Sequence, residues 1–356
     1  MKELNHMKAV VKAKTGYGIQ VIPDAAVPKP RPGEVLIHVE AVGICGSDLH
    51  IYEWTPGYES LAAYFPRIIG HEFSGEIIEV GSGSESLFHR GEKVTSETGK
   101  SCGQCFYCKQ GNGILCLHRF VFGRIGFERD GAMAEYVVVS EECLHRIPAG
   151  VTMEEAAMTE PAAVALGAVE RGGFYPGDLV VISGPGPIGL ITLQLCKALG
   201  AGRVVVIGLK DDRHRLEIAT QLGADAVLTG PPEENLQTIM EWTGGLGAAT
   251  CFEVSGAPAA AAAGLRMLRR FGDLVLVGIY PDTIAIDATR LVVRQMTSIK
   301  GSYGAMSLDW DRVLQFVSAG RIQLKPLISK IIPLQDAQEG FEILRRKDAL
   351  KVLLRP

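Results

Sequence analysis

The second half of the chain alternates short apolar runs with longer stretches of helical periodicity. From about residue 178 the apolar runs are LVVISG, RVVVIGL, AVLTG, TCFEVSG, DLVLVGIY and SIKGSYG. Such runs are typical of strands buried on both faces, and intervening helices make neighbouring strands parallel. The pattern therefore predicts an α/β fold, with a doubly wound parallel sheet over residues 161–303.

The first of these runs ends in a glycine-rich turn that opens an apolar helix. Gly184, Gly186 and Gly189 form G-x-G-x-x-G, and Pro187 and Ile188 begin the helix. In such a turn the first glycine permits the tight bend, the second lets backbone approach a pyrophosphate, and the third lets the helix pack closely on the strand. The helix N-terminus attracts the anion. The turn predicts a dinucleotide site; the alternative is a glycine-rich turn without a ligand.

The end of the second strand bears on the choice of coenzyme. Gly208 stands where an acid for the ribose hydroxyls is expected, and three cations follow it: Lys210, Arg213 and Arg215. A missing acid with cations nearby can accommodate a 2′-phosphate, which favours NADP over NAD. The alternative is that the cations form the solvated start of a helix and that Asp211 or Asp212 reaches the ribose.

The first part of the chain has a different texture. Residues 1–160 contain short β-like runs such as EVLIHVEAVGI, GEIIEVGSG and AEYVVVSEECLHRIP, separated by glycine and proline. Period-2 alternation with this punctuation predicts a compact antiparallel, barrel-like domain. Residues 304–356 return to short strand and helix segments, which we expect to rejoin the first domain.

Four cysteines lie close together between residues 100 and 118: Cys102, Cys105, Cys108 and Cys116, in the spacing C-x2-C-x2-C-x7-C. Four thiolates on one short loop can close a tetrahedral shell around Zn²⁺ and leave no position open for chemistry. The spacing therefore predicts a structural zinc site. The alternatives are four unrelated thiols or two disulfides.

Composition excludes some classes of function. The chain has 356 residues, a net charge of −4 and no basic tract, so nucleic acid and anionic membranes are poor candidate partners. The remaining cysteines are scattered, the N-terminus lacks the features of a signal peptide, and the apolar region from Leu179 to Leu209 is interrupted by glycine, proline and charge. We expect a cytoplasmic enzyme with a small-molecule substrate.

A second group of metal-ligand residue types is dispersed. Cys45 lies in GICGSDLH, His71 and Glu72 lie in GHEFSGEIIEVGSGS, and Glu160 lies in TEPAAVAL. Spacing alone does not bring these residues together, and a single buried cysteine or histidine more often belongs to the core.

Taken together, these motifs resemble those of the zinc-dependent medium-chain dehydrogenase/reductases of the alcohol dehydrogenase superfamily, in the branch of sorbitol (polyol) dehydrogenases and threonine 3-dehydrogenase. GHEFSGEIIEVGSGS fits the family form G-H-E-x2-G-x5-G-x2-S, and CGSDLHIYEW, the four-cysteine lobe, GPGPIG and IKGSYG follow in the family's order. The resemblance implies a GroES-like β-barrel catalytic domain and a Rossmann coenzyme domain. It also implies two Zn²⁺ per chain, NAD or NADP, and a tetramer or dimer that pairs its coenzyme sheets through SIKGSYG and DLVLVGIY.

The resemblance also implies a catalytic metal site. Cys45 and His71 would ligate the catalytic zinc, Glu72 or a water would complete the shell, and Glu160 would be a further ligand or would hold that water. The position left open would take the substrate oxygen.

The implied reaction is reversible hydride transfer between NAD(P) and an alcohol. Ser47 would accept the alcohol proton and His50 would pass it to solvent, with the nicotinamide ribose between them; histidine suits that task because it titrates near neutral pH. The alternatives from the residues alone are that Ser47 caps a turn and that His50 is a buried structural histidine.

Substrate choice depends on a ring-rich segment and two departures from the family. Five rings in this segment either wall a pocket or pack the domain edge: Tyr52, Trp54, Tyr58, Tyr64 and Phe65. Trp54 makes this loop resemble that of the threonine dehydrogenases more than that of the sorbitol enzymes. However, the arginine that those enzymes place after their Tyr-Gly is missing after Gly304, and Gly167 replaces a histidine frequent in polyol enzymes. We favour a secondary alcohol of a polyol, sugar alcohol or sugar acid. The alternatives are L-threonine, a zinc-free enone or quinone reductase on the same fold, and a zinc-ribbon binding module.

Overall fold

The computed structural model describes residues 5–82, 87–118 and 123–356. The chain forms two compact units. The first comprises Met1–Glu160, Met306–Ser318 and Leu327–Pro356, and the second comprises Pro161–Ala305 and Ala319–Pro326. Residues 1–4 lie outside the described residues; they belong to the N-terminal segment for which no signal peptide is predicted. Ser84, the last residue of the G-H-E motif, also lies outside them.

The first unit is built on two sheets. Its strands are β1 (His6–Lys12), β2 (Gln20–Ala26), β3 (Glu34–Gly43), β4 (Arg67–Ile68), β5 (Glu72–Val80), β6 (Lys93–Ser96), β7 (Tyr136–Ser140), β8 (Leu144–Arg146), β15 (Ile328–Pro333) and β16 (Lys351–Arg355). The smaller sheet has the order β2-β1-β4. The larger has the order β15-β16-β3-β5-β6-β8, with β7 also paired to β3. Every pair is antiparallel except β15 with β16. This agrees with the antiparallel domain that the alternation predicts.

The pairing of β3 with β5 places the core of this unit. Val35, Ile37 and Val39 alternate along β3 and are buried, and Ile37 lies opposite Ile77 of β5. Apolar side chains on one face of a pleated sheet pack together because successive residues point to opposite faces. The same pairing sets Gly43 opposite Glu72, so the ends of β3 and β5 meet where the candidate site begins.

The second unit holds one parallel sheet. Its strands are β9 (Leu179–Ser183), β10 (Arg203–Ile207), β11 (Ala226–Leu228), β12 (Ala248–Glu253), β13 (Leu268–Leu276) and β14 (Ser298–Gly301). Their order is β11-β10-β9-β12-β13-β14, and all five pairs are parallel. Strand order reverses between β9 and β12, as in doubly wound dinucleotide-binding sheets. The predicted α/β fold is confirmed.

Ten α-helices connect the strands in the described residues: α1 (Gly46–Glu53), α2 (Phe106–Lys109), α3 (Met153–Ala156), α4 (Thr159–Arg171), α5 (Pro187–Ala198), α6 (Arg213–Gln221), α7 (Pro232–Trp242), α8 (Pro258–Met267), α9 (Ser307–Ser318) and α10 (Ala337–Arg345). The apolar region from Leu179 to Leu209 is the predicted strand, turn, helix and strand. Within the described parts of the chain, the helices are all too short or too polar to span a bilayer.

Sheet order corrects one expectation about association. The segment DLVLVGIY contributes β13, which has β12 on one side and β14 on the other. Both of its edges are already hydrogen-bonded, so β13 cannot pair with another copy. Only β14, from the segment SIKGSYG, leaves an edge free at that side of the sheet.

Candidate active site

The first cluster forms where α1 and β5 begin. Cys45 is the N-cap of α1, and its backbone N–H donates to the carboxylate of Asp48 at 3.0 Å. His71 directly precedes β5, and Glu72 is the first residue of that strand. Gly70 has φ +92, and a Cβ there would lie 2.4 Å from Cγ of Met133, so this bend requires glycine. The turn and the helix start together fix where the ligand-type side chains lie.

The structure brings three of the four predicted ligands together. One ligand atom each from Cys45, His71 and Glu72 lies within 4.8 Å of the other two. Glu160, at the start of α4, is not part of this close group, although its charge interacts with His71 and Glu72. Sulfur, imidazole nitrogen and carboxylate oxygen are the donors that zinc prefers, so the donor set fits a zinc ion.

Two residues that the sequence analysis missed complete the surroundings. Lys351 of β16 donates to Oε2 of Glu72 at 2.6 Å and to the carbonyl of Ile44 at 3.1 Å, and the Lys351 and Glu72 side chains are 4% and 1% exposed. Asp48 Oδ1 lies 3.6 Å from Nδ1 of His71, and both atoms are buried without a hydrogen-bond partner. The only sequence signal for Lys351 was a lysine within the apolar run LKVLL. The only signal for Asp48 was an acid in the first helical turn after Cys45.

The electrostatics of this cluster favour a cation. Burial, followed by the nearby Glu72 carboxylate, raises the pKa of the Cys45 thiol. Burial also raises the pKa of Glu160 to about 7. Burial alone would lower the pKa of His71, but Asp48 and Cys45 outweigh it, and that pKa lies well above its usual value. A divalent cation would offset the crowded acids and stabilise a thiolate, which is the form that binds metal.

The predicted proton-path residues lie on α1. Ser47 Oγ is 3.5 Å from Nε2 of His71, at the limit of a hydrogen bond. His50 is half-buried, with its Nδ1 3.0 Å from the hydroxyl of Thr55 and its ring stacked on Tyr58 at 5.5 Å between centroids. Ser47 therefore borders the metal-ligand cluster, whereas His50 lies one helical turn further along.

The four cysteines of the lobe form a second cluster. Their sulfurs all lie within 4.8 Å of one another, with Cys102 to Cys108 at 3.9 Å and Cys105 to Cys108 at 3.5 Å. A tetrahedral zinc with bonds of about 2.3 Å separates its sulfurs by about 3.8 Å, so the lobe fits the ion. Backbone hydrogen bonds, the largest from Cys108, lower the pKa of Cys105 to about 6. No disulfide forms among the eight cysteines, which excludes the paired alternative.

The glycine-rich turn lies between β9 and α5 in the second unit. Gly184 has φ +115, and a Cβ on it would lie 3.0 Å from Cβ and from the backbone nitrogen of Ser255. A Cβ on Gly189 would collide with the carbonyl of Gly184 at 2.0 Å, whereas one on Gly186 would project into open space. α5 begins at Pro187, followed by Ile188. The turn thus has room for a ligand at its middle glycine and close packing at the other two.

Packing at the end of β10 explains why Gly208, and not an acid for the ribose hydroxyls, occupies that position. A Cβ on Gly208 would lie 3.0 Å from Cγ of Pro185, so the space for a larger side chain is already filled by the glycine-rich turn. Asp212 Oδ2 accepts from the backbone of Leu209 at 2.9 Å and is therefore engaged in the local turn. Lys210 is exposed, and Arg215 is half-buried on α6.

The ring-rich segment divides into core and surface. Tyr52 is fully buried, stacks on Phe341 at 4.9 Å and donates to Glu342 at 2.8 Å, so it belongs to the core. Trp54 and Phe65 are half-buried and meet edge to face at 5.4 Å. Tyr64 is the most exposed of the set. Four of these rings, those of Trp54, Tyr58, Tyr64 and Phe65, therefore keep exposed surface for a pocket wall.

Comparison with known proteins agrees with this geometry. The family model described as alcohol dehydrogenase GroES-like domain matches residues 31–149, and the one described as zinc-binding dehydrogenase matches residues 187–319. Sorbitol dehydrogenase of Halalkalibacterium halodurans is 37% identical, covering 98% of this chain and 99% of its own. L-threonine 3-dehydrogenase of Pyrococcus horikoshii is 36% identical, covering 98% of both chains.

Solved structures show the same fold. The crystal structure of 2R,3R-butanediol dehydrogenase from Bacillus subtilis superposes with a TM-score of 0.87 at 32% identity, covering 98% of this chain and 99% of that one. A zinc-binding dehydrogenase from Sinorhizobium meliloti, bound to NADP, has a TM-score of 0.86 at 28% identity, covering 98% and 99%. These likenesses extend over nearly the whole chain and confirm the GroES-like and Rossmann domains, the zinc and the nicotinamide coenzyme. The chain belongs to the zinc-dependent alcohol dehydrogenase family and is an NAD(P)-dependent oxidoreductase of the medium-chain type.

Proposed function

We propose that the enzyme reversibly oxidises a secondary alcohol of a polyol, sugar alcohol or sugar acid to the ketone. The cluster of Cys45, His71 and Glu72 is the observation that supports the proposal; His71 and Glu72 are buried and Cys45 is half-buried. These side chains offer zinc a soft sulfur donor and harder nitrogen and oxygen donors, with negative charge around them. A zinc ion held there would lower the pKa of a substrate hydroxyl and orient its carbinol carbon.

Each residue of the cluster then has a role. Cys45 and His71 serve as metal ligands, and Asp48 orients the His71 ring from 3.6 Å. Glu72 or a water would complete the shell. The ion pair between Lys351 and Glu72 competes with a metal for the Glu72 carboxylate, which supports the water. Glu160 would be a further ligand or would hold that water, since its charge interacts with those of His71 and Glu72.

Proton removal is assigned to α1. Ser47, whose hydroxyl lies 3.5 Å from His71, would accept the proton of the substrate hydroxyl while it releases its own proton to the nicotinamide ribose, and the half-buried His50 would pass that proton on to solvent. The hydroxyl of Thr55 holds the His50 ring at Nδ1, so Nε2 is the nitrogen left to exchange the proton.

The two units divide the work in this proposal. Residues 1–160 form the catalytic domain with the lobe of Cys102, Cys105, Cys108 and Cys116 as its structural zinc site. Residues 304–356 return to that domain, except that Ala319–Pro326 belong to the second unit. Residues 161–303 bind the coenzyme, with its pyrophosphate at Gly184, Gly186, Pro187, Ile188 and Gly189. Open space at Gly186 supports this placement.

NADP is the preferred coenzyme. No carboxylate stands at the end of β10, because Gly208 packs against Pro185, and Asp212 is engaged by the backbone of Leu209. Lys210 and Arg215 follow that position and are the cations for a 2′-phosphate.

L-threonine is the second candidate substrate. Trp54 and the 36% identity to a threonine 3-dehydrogenase favour it. The arginine that threonine dehydrogenases tend to place just after their Tyr-Gly is missing directly after Gly304, which speaks against it.

Association and compartment complete the proposal. Two copies pair through the free edge of β14, where Met296, Ile299 and Tyr303 are exposed, as part of a dimer or tetramer. None of the eight cysteines forms a disulfide, which supports a reducing compartment such as the cytoplasm.

A substrate panel tests the proposal. Initial rates of coenzyme reduction are measured for the zinc-loaded enzyme with NAD and with NADP, across polyols, aldonic acids, vicinal diols and L-threonine. The highest kcat/KM is expected for a polyol or aldonic acid with NADP. A preference for L-threonine would replace the substrate proposal with the second candidate, and reduction of enones without zinc would overturn both.

A further inference from the structure

A buried carboxylate that the proposed mechanism does not use lies at the end of β12. Glu253 is fully buried, and no ion pair involves it in the part of the chain that the structure describes. Its carboxylate accepts from the backbone of Ser255 at 2.9 Å and of Gly256 at 3.1 Å, and from the hydroxyls of Ser255 and Tyr280. Four donors converge on one side chain, which is the usual way to stabilise a buried carboxylate without a cation.

These hydrogen bonds fix the loop that supports the glycine-rich turn. Ser255 lies directly against Gly184, since a Cβ on that glycine would come within 3.0 Å of it. Next to it, the Val254 backbone donates to the carbonyl of Ser183 at 3.0 Å. The backbone of the proposed pyrophosphate turn therefore rests on residues whose positions Glu253 sets.

The same carboxylate reaches the loop after β13. The carbonyl of Glu253 accepts from Val277 at 2.9 Å and from Gly278 at 3.1 Å, and its side chain accepts from Tyr280. Burial and Glu253 both raise the pKa of the Tyr280 hydroxyl, so this group stays a donor at any working pH. The loops that follow β12 and β13 are tied together at the carboxyl ends of the strands, where doubly wound sheets bind their ligands.

We propose that Glu253 is a positioning residue for the coenzyme: with Ser255 and Tyr280 it holds the loops after β12 and β13 in the shape that the pyrophosphate turn requires. Loss of this network would leave the turn less well placed and would weaken coenzyme binding. The inference rests on the coenzyme site proposed above. It adds a polar network whose members need not touch the coenzyme.

Three conservative variants test the network. Tyr280→Phe removes one hydroxyl and keeps the ring, and Ser255→Ala removes the other, while Ser255→Thr keeps a hydroxyl. Hydrogen bonds to a buried charged group are worth about tenfold or more in an equilibrium constant. Tyr280→Phe and Ser255→Ala should each raise the Kd of NADPH by about tenfold, and Ser255→Thr should restore binding. Glu233→Gln is the control, because it breaks an exposed ion pair with Arg266 in the same unit.

The Kd is measured by fluorescence of bound NADPH, and by that of NADH in parallel, with zinc-loaded protein and no alcohol present. In turnover, the KM for coenzyme should rise while the KM for the alcohol stays within twofold of the wild-type value. Variants that lower the melting temperature but bind NADPH as tightly as the Glu233→Gln control would overturn the inference and leave Glu253 a purely structural residue. Failure of the wild-type chain to bind either coenzyme would instead overturn the coenzyme site itself.

Discussion

The substitution Lys351→Met tests how the protein holds Glu72 beside the metal ligands. Lys351 Nζ lies 2.6 Å from Glu72 Oε2, and both side chains are almost fully buried. Burial opposes the charge on Lys351, but Glu72 and Cys45 outweigh it and raise the pKa of the lysine. Removing one partner of a buried ion pair leaves the other charge uncompensated and costs about 3–5 kcal/mol. We expect a loss of that size in the free energy of unfolding of the metal-free protein.

Zinc should reduce this loss. A divalent cation at the cluster of Cys45, His71 and Glu72 would compensate the carboxylate that Lys351 no longer meets, and a ligand that binds only the folded state stabilises it. The assay is denaturant unfolding of wild-type and variant proteins, each prepared metal-free and zinc-loaded. The contribution of the four-cysteine lobe cancels in the difference between the two proteins, because Lys351 lies outside it.

Arg355→Met provides the matched control on the same strand. Arg355 pairs with Glu154 at 2.6 Å but its side chain is 59% exposed, so its loss should cost less than about 1 kcal/mol in either metal state. The double variant Lys351→Met/Glu72→Gln should recover much of the stability of the metal-free protein, because it removes the stranded charge. An equal loss for Lys351→Met with and without zinc would refute the reasoning, since Glu72 would then not face the metal.

Three further substitutions separate the roles proposed for the sites. Substitution of a group that only orients a metal ligand typically lowers activity about 10–100-fold. Cys45→Ala should lower kcat by more than this and leave the coenzyme Kd unchanged. Activity near the wild-type rate would exclude a ligand role for Cys45. Cys105→Ala should lower the melting temperature and the zinc content by one ion per chain, and a loss of turnover at unchanged stability would contradict a structural site. Lys210→Ala should raise the KM for NADP about tenfold and leave that for NAD nearly unchanged; an equal rise for both would remove the 2′-phosphate assignment.

Local patterns predicted much of the fold. The apolar run before Gly184, the turn and the helix at Pro187 are contiguous, so their order in the chain already states their arrangement. The four-cysteine spacing predicted its zinc site for the same reason. The cysteines are so close in sequence that the short loops between them restrict where their sulfurs can lie. Their sulfurs lie at the separations that a tetrahedral ion requires.

Long-range contacts were harder to predict. Asp48 and Lys351 emerge as partners of His71 and Glu72 only once β5 lies beside β3 and β16 pairs with β3. No periodicity marks a lysine in an apolar strand as the partner of a glutamate 279 residues earlier. Glu253 was likewise unremarkable in the run TCFEVSG, because its partners include Tyr280 in the following loop.

The two metal sites therefore depend on the fold in different ways. All four ligands of the lobe lie within residues 102–116, so no distant strand supplies a ligand to that site. The cluster of Cys45, His71 and Glu72 needs β16, whose residues Leu353 and Leu354 pair with Gly43 and Val42 and carry Lys351 into the site. Strand β16 thus supplies the positive charge that compensates Glu72, although the ligands of the site lie in the first quarter of the sequence. A buried carboxylate without that strand would be costly, which ties completion of the catalytic site to completion of the fold.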